Sequence, residues 1–346
     1  MNSKALPRRS KLSDVAKAAG VSPATVSRVL NHPDIVRPDL QAKVRRAIAE
    51  LGYAPDAMAR ALSLGRSNTI GAIIPTLGMT IFANGTVALQ KRLREYNYTL
   101  LIANAEYDPE RELEEIKVLL ERGVDGLVLV GDRMSAEALA LARQYQVPLV
   151  TTYVSESQFS VPAIGIDNAE AMHQVLQMLL DLGHREFGVI TVYPAHNDRQ
   201  QARRQGVFAA FEAADIPLAA HRIAEVPYSV AHGRTAFKRL ITADPAITAV
   251  ICSSDAFAIG ALAECKYLGL SVPRDISITG YDDVDISMHT DPPLTTVNVP
   301  AAVIGRLAAD HLVATLNGRP PPLTTKLPAQ IIVRGSTAAP RSARKS

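Results

Sequence analysis

The sequence predicts an all-α helix-turn-helix headpiece joined to an α/β body of two lobes built on parallel sheets. Three observations predict it. Residues 12–51 contain three short amphipathic helical stretches, the first two separated by a glycine turn. From Thr69 onward, apolar strand-like segments alternate with helical ones, and the alternation starts afresh after residue 168. Charge divides along the same lines. Residues 1–66 carry 12 Lys/Arg against 5 Asp/Glu, residues 67–333 carry 21 against 29, and residues 334–346 add 4 basic groups and no acid. A whole-chain net of +3 conceals a small basic module on a large acidic body.

The headpiece reads LSDVAKAAGVSPATVSRVLN over residues 12–31. Ser13 is the expected N-cap of a first helix, with Val15, Ala16 and Ala19 as its inner stripe and Gly20 supplying the turn. Ser22 followed by Pro23 is a cap with proline at the first helical position, opening a second helix through Leu30. Val26, Val29 and Leu30 then face inward, which leaves Pro23, Ala24, Ser27 and Arg28 toward solvent. A third helix spans about Pro38 to Leu51, with Val44, Ile48 and Leu51 inside, and stops at Gly52. A helix of this size fits a DNA major groove, and a guanidinium at Arg28 can donate two hydrogen bonds to a guanine edge. Ser22, Thr25 and Ser27 at the helix start suit phosphate oxygens. The plainer alternative is three small helices forming a structural cap; the surplus of positive charge favours nucleic acid.

In the body, expected strands are IGAIIP (70–75), YTLLIA (98–103), DGLVLV (125–130), VPLVTTY (147–153), FGVITV (187–192), HRIAEV (221–226), TAVICS (248–253) and ISITGYDD (276–283). Helical stretches lie between them at about 83–95, 108–122, 135–145, 169–182, 199–213, 230–242 and 256–268. This is βαβ repetition around parallel sheets. Two such lobes form a cleft lined by loops at the carboxyl ends of their strands. The candidates there are Phe82, Asp167 with Asn168, Asp198 with Arg199 and Arg203, Tyr228, Ser254 with Asp255, and Tyr281 with Asp282 and Asp283. Carboxylates, an amide, arginine and aromatics suit a small polyhydroxylated ligand. Asp167, Asp255 and Asp283 also read as helix caps or turn residues, and for Asp255 that reading is preferred.

Several classes are excluded as expectations. No stretch reaches the roughly 18 to 20 apolar residues of a membrane span, and the N-terminus lacks the apolar run of a secretion signal. Two cysteines, Cys252 and Cys265, make neither a disulfide framework nor a structural zinc site. No strand feeds GxGxxG or GxxxxGK[ST], so no nucleotide cofactor is expected. No metal motif is present, and Ser254 beside Asp255 lacks a histidine in sequence context, so no enzyme is expected. A free-standing solute-binding protein would share the body but would have no use for residues 1–62.

The runs DVAKAAGVSPATVSRVLN and LGYAPDAMARAL (51–62) closely resemble the amino-terminal region of the LacI/GalR family of bacterial transcriptional regulators. GIDN (165–168), DLGHREFGVI (181–190), SSDAFAIGAL (253–262), GLSVPRDISITGYDD (269–283), PPLTTV (292–297) and IIVRGST (331–337) resemble that family's periplasmic-binding-protein-like core. The resemblance implies that Pro23, Ala24 and Arg28 read base edges. It implies a hinge helix at 56–64, with Ala59, Arg60 and Leu62 in the minor groove and Leu62 as an apolar wedge; the alternative for Leu62 is a core residue of the linker. Phe82, Asp167, Arg203, Tyr228, Ser254 and Asp282 become the expected effector contacts. The implied domains are 1–55, a hinge at 56–66, a core at 67–333 and a basic tail at 334–346. The lobes are expected at 67–166 plus 297–322 and at 167–296 plus 323–333, with crossings near 166, 296 and 323.

The implied function is a cytoplasmic, nucleoid-associated repressor of carbohydrate or sugar-acid catabolic genes. Its partners would be double-stranded operator DNA, a small-molecule effector (a sugar, sugar acid or similar metabolite) and a second copy of itself, with no membrane and no cofactor. An effector-activated corepressor type responding to a purine is the alternative. Two departures bear on the ligand. Ile81 stands where relatives carry an aromatic ring, and Ser254 where they carry asparagine; Arg203 beside that altered wall suggests a carboxylated ligand. The tail lacks leucine heptads, so a dimer is expected.

Overall fold

The computed structural model describes residues 10–54, 65–193 and 197–341. The chain divides into two units, Met1–Asn68 and Thr69–Ser346.

The first unit is helical: α1 (Leu12–Ala19), α2 (Pro23–Asn31) and α3 (Pro38–Leu51). Val15, Ala16, Val26, Val29, Val44 and Ala47 form its core. Gly20 and Gly52 end α1 and α3 in the left-handed conformation, at φ 65° and 57°, where a residue with a Cβ would be strained. Two expectations need correction. The first helix starts at Leu12, two residues too early for Ser13 as cap, because the Asp14 carboxylate reaches back to the Lys11 amide at 2.8 Å. Leu51 is exposed, its inward place being taken by Ala47.

The second unit contains two six-stranded sheets. The first uses β1 (Thr69–Ile74), β2 (Thr99–Asn104), β3 (Gly126–Val130), β4 (Leu149–Thr152), β5 (Ala163–Gly165) and β11 (Thr324–Lys326), in the order β11-β5-β4-β3-β1-β2, all parallel. The second uses β6 (Phe187–Val192), β7 (Ile223–Val226), β8 (Ala249–Cys252), β9 (Ser277–Asp282), β10 (Thr295–Asn298) and β12 (Gln330–Ile332). Its order is β12-β10-β9-β8-β6-β7, and only β12 is antiparallel. The strands read as nearly continuous apolar runs because helices cover both faces. In the first lobe these are α4 (Thr80–Glu95), α5 (Pro109–Glu121) and α6 (Ala136–Gln144). The second lobe has α7 (Asn168–Asp181), α8 (Asp198–Ala213), α9 (Val230–Ala243) and α10 (Asp255–Leu268).

A further helix, α11 (Ala301–Leu316), returns to the first lobe and packs on α4. The approach is close: a Cβ on Gly305 would lie 2.2 Å from the Gly85 carbonyl. The chain therefore crosses between lobes three times, at 166–167, at 299–300 and at 327–329. The last two fall later than expected. Val297 and Asn298 belong to β10, and Thr324–Lys326 pairs with β5, so residues 323–326 lie on the first lobe. Three-residue edge strands carry too little pattern to be read in advance.

The tail also differs from a loose end. Ser336 Oγ donates to the Ile278 carbonyl and accepts from the Thr295 amide, and the His184 ring lies 2.9 Å from the Ala338 carbonyl. Arg334 is ion-paired to Asp283 at 2.7 Å. Among the described residues no helix is long and apolar enough to cross a membrane.

Candidate functional site

The cleft side chains come from the first turns of α4 and α8 and from the ends of β5, β8 and β9. Helix α4 begins at Thr80, earlier than expected, so Phe82 lies in its first turn and is buried. Its ring meets Tyr153 edge-on at 5.3 Å, and Tyr153 Oη donates to the Ile81 carbonyl at 3.1 Å. Helix α8 is capped by Asn197, whose Oδ1 accepts from the Gln200 amide at 3.2 Å. Arg199, Gln200 and Arg203 all turn inward and are at most 7% exposed. Burying two guanidinium groups at a helix start is tolerated only if each is fully partnered.

Arg203 is partnered. Its Nε donates to Asn168 Oδ1 at 3.0 Å, its Nη1 donates to the Ser253 carbonyl at 2.9 Å, and the same nitrogen stands 3.3 Å from Asp282 Oδ1. The guanidinium lies 3.6 Å from the centre of the Tyr281 ring, whose hydroxyl also donates to Asn168 Oδ1. Asp282 Oδ2 accepts from Ser254 Oγ at 3.1 Å. Burial pushes the Asp282 carboxyl above its ordinary range against the pull of Arg203. Arg199 reaches across to the first lobe, donating to the Val130 carbonyl at 3.2 Å and to Asp198 Oδ1 at 2.7 Å. Asp198 Oδ2 in turn accepts from the Asp132 amide at 2.7 Å. A cavity of about 20 Å³ remains between the lobes, lined by Phe82, Tyr107, Arg199, Gln200, Arg203 and Asp282 among others. That is room for about one water molecule, so a small-molecule ligand fits there only once the lobes have parted.

The structure thus brings Phe82, Arg203 and Asp282 to one cavity. Ser254 stands behind Asp282, where it also caps α10 by accepting from the Ala256 amide. Tyr228 is partly exposed and packs on Phe257 at 5.9 Å. Asp167 is committed elsewhere: it caps α7 through the Ala169 and Glu170 amides and pairs with Lys326 at 3.0 Å. Burial alone would raise its carboxyl, but those amides and Lys326 hold it below the usual range. Asp255 is not a cap. It is 1% exposed and accepts from the Val284 amide, Ser287 Oγ and Thr296 Oγ1, which straps the loop after β9 to α10. Gln200 was missed by sequence reasoning, although its place among inward polar residues of α8 was a usable signal. Arg203 Nη1 lies 3.3 Å from Asp282 Oδ1, so a ligand carboxylate at this wall would share the guanidinium with Asp282.

In the first unit, Ser22 Oγ accepts from the Thr25 amide at 3.1 Å, which fixes the start of α2. Ser22, Pro23, Ala24 and Arg28 are exposed, and Thr25 and Ser27 are half-buried. Pro23, Ala24, Ser27 and Arg28 share the outer face at spacings of one, three and four residues. Ala59, Arg60 and Leu62 lie outside the described residues.

The model of bacterial regulatory proteins of the lacI family matches residues 11–56, and that of the periplasmic binding protein-like domain matches 176–337. The HTH-type transcriptional repressor CytR of Escherichia coli (strain K12) is 31% identical over 340 residues, covering 98% of this chain and 99% of that protein. The chain belongs to the LacI family. The ribose operon repressor of Haemophilus influenzae is 33% identical, over 87% of this chain and 90% of that protein. Among solved structures, the lac repressor dimer bound to operator and the anti-inducer ONPF superposes with a TM-score of 0.86. It is 26% identical and covers 96% of this chain and all of that one. This LacI-family protein is accordingly a sequence-specific DNA-binding transcriptional regulator and not an enzyme. Among the described residues no group of three His, Cys, Asp or Glu is placed to hold a metal ion.

Proposed function

We propose that this protein is a cytoplasmic repressor that binds an approximately palindromic operator as a dimer and is released by a small polar metabolite. In this reading Pro23, Ala24 and Arg28 read base edges, Ser22, Thr25 and Ser27 hold phosphates, and Ala59, Arg60 and Leu62 act in the minor groove. Two-fold symmetry in the protein requires matching symmetry in the DNA. The effector sits in the cleft against Phe82, Arg203 and Asp282, with Ser254 and Tyr228 at its margin, and Asp167 acts indirectly by fixing the start of α7 and so Asn168. The observation that carries the reading is the Arg203 cluster. It joins residues of α7, α8, β9 and the end of β8 at the mouth of the lobe interface, where a ligand changes the balance between open and closed lobes. That balance and operator affinity are then reciprocally linked.

The reading is supported by the solved relative, a dimer on its operator, and by the names of the curated relatives, which are repressors. The test is operator selection from random duplexes, followed by fluorescence anisotropy with candidate sugars and nucleosides. Release by one compound is expected, abolished in Arg203→Ala. Tightening by that compound would identify a corepressor instead, and selection of no symmetric site would refute the dimeric reading.

A further inference from the structure

Among the described residues that line the cavity, one buried side-chain acceptor has no hydrogen-bond partner. Arg203 donates through Nε to Asn168 and through Nη1 to the Ser253 carbonyl and pairs with Asp282, and Arg199 donates to Val130 and Asp198. Gln200, 3% exposed and lining the cavity, uses its Nε2 toward the Ser253 carbonyl at 3.4 Å and its backbone amide toward Asn197. Its Oε1 is buried with no hydrogen-bond partner among the described residues. An amide oxygen left in that state has lost its water without a replacement, a cost that a ligand N–H or O–H would relieve. The Nε2 contact fixes the orientation: flipping the amide would set Oε1 against a carbonyl.

The charges are equally informative. Each cation in the cleft has its own carboxylate, Arg199 with Asp198 at 2.7 Å and Arg203 with Asp282 at 3.3 Å. An added ligand carboxylate would lie among two acids with neither cation unpaired, in a site that excludes water. We propose that Gln200 determines the specificity of the cleft, selecting through its free Oε1 a neutral ligand that presents an N–H or O–H donor over the carboxylate counterpart of the same molecule. This rests on the reading of the cleft as the effector site.

The test uses the full-length protein and calorimetry with paired probes: glucose and gluconate, galactose and galacturonate, ribose and ribonate, with cytidine and adenosine as N–H donors. The expected binder is neutral, and Gln200→Leu should weaken it at least about tenfold, since an unmatched polar group discriminates strongly. A deoxy or methylated analogue of that binder, lacking the donor, should bind wild type and Gln200→Leu alike. The analogue arm on wild type needs no variant to fold. An acid binding more tightly than its neutral partner would overturn the proposal, as would unchanged affinity in Gln200→Leu. A ligand that binds in this manner yet leaves operator affinity untouched refutes the regulatory reading while the assignment of Gln200 stands.

Discussion

Substituting Gly131 by alanine should open the lobes. Gly131 follows β3 at φ +89°, and a Cβ there would lie 1.9 Å from Arg199 Nη1 and 2.6 Å from Asp198 Oδ1. Both are side-chain ends, so they swing aside and give up the contacts they make with the first lobe. Two contacts between the lobes are then lost: the Asp132 amide to Asp198 Oδ2 at 2.7 Å and Arg199 Nη1 to the Val130 carbonyl at 3.2 Å. Hydrogen bonds to charged groups contribute about 1.5 to 3 kcal/mol each. Because the separated partners regain water, about 3 kcal/mol for the pair is a fair total, or roughly two powers of ten in the closed-to-open ratio. A separate cost of about 1 to 2 kcal/mol for alanine in the left-handed region falls on folding rather than on closure. Small-angle X-ray scattering should give a larger radius of gyration for Gly131→Ala than for wild type. Asp198→Ala, which removes the first of these contacts and leaves Gly131 in place, should do likewise to a smaller extent and with less loss of stability. If Gly131→Ala scatters as wild type does, or if Asp198→Ala stays closed, the latch between β3 and α8 does not hold the lobes together.

Three other perturbations have distinct readouts. Arg28→Ala should lower operator affinity and base discrimination by about 1 to 3 kcal/mol; equal loss on random DNA would show that Arg28 contacts only phosphates. Leu62→Ala should weaken specific binding more than non-specific binding and reduce operator bending in a gel circular-permutation assay, with an unbent wild-type complex removing that role. Burial raises the Glu112 carboxyl to about 7, with Arg199 pulling it down and Asp198 pushing it up. A carboxyl raised in the folded state stabilises below its unfolded value near 4.5, and that contribution is lost as pH rises through about 7. Glu112→Gln should therefore be more stable than wild type at pH 8 by about 1 to 3 kcal/mol, and no more stable near pH 4. Denaturant midpoints at both pH values measure this. A gain that is the same at both would show that titration of Glu112 is not its source.

What was legible in the sequence and what was not separate along a physical line. Capping and strand chemistry are local, so Ser22-Pro23, Gly20, Gly52 and the apolar runs of β1 to β4 and β6 to β9 could be read residue by residue. Edge strands β11 and β12 could not, because three residues carry no pattern and their pairing is decided by the partner strand. Asp255 was misread for a related reason. Its donors lie 29 to 41 positions away, and from one neighbourhood an aspartate at a helix start looks like any other cap. The attachment of residues 334–338 was not legible either, because their partners, Asp283, Ile278 and His184, are likewise remote.

The effector cleft is the intermediate case. Helix α8 buries Val207, Ala210 and Phe211 in its later turns, and the same face continues into Arg199, Gln200 and Arg203 in its first two. A helix that only needed to pack would keep that stripe apolar to its end. A stripe that turns polar at the end nearest the strand termini breaks the packing rule where a ligand can restore it, which is how functional sites commonly depart from folding consistency. The break alone does not say which of the three groups is available. Arg199 and Arg203 draw the eye as charges, yet both are matched within the protein. The neutral Gln200 is the one with a buried acceptor to spare.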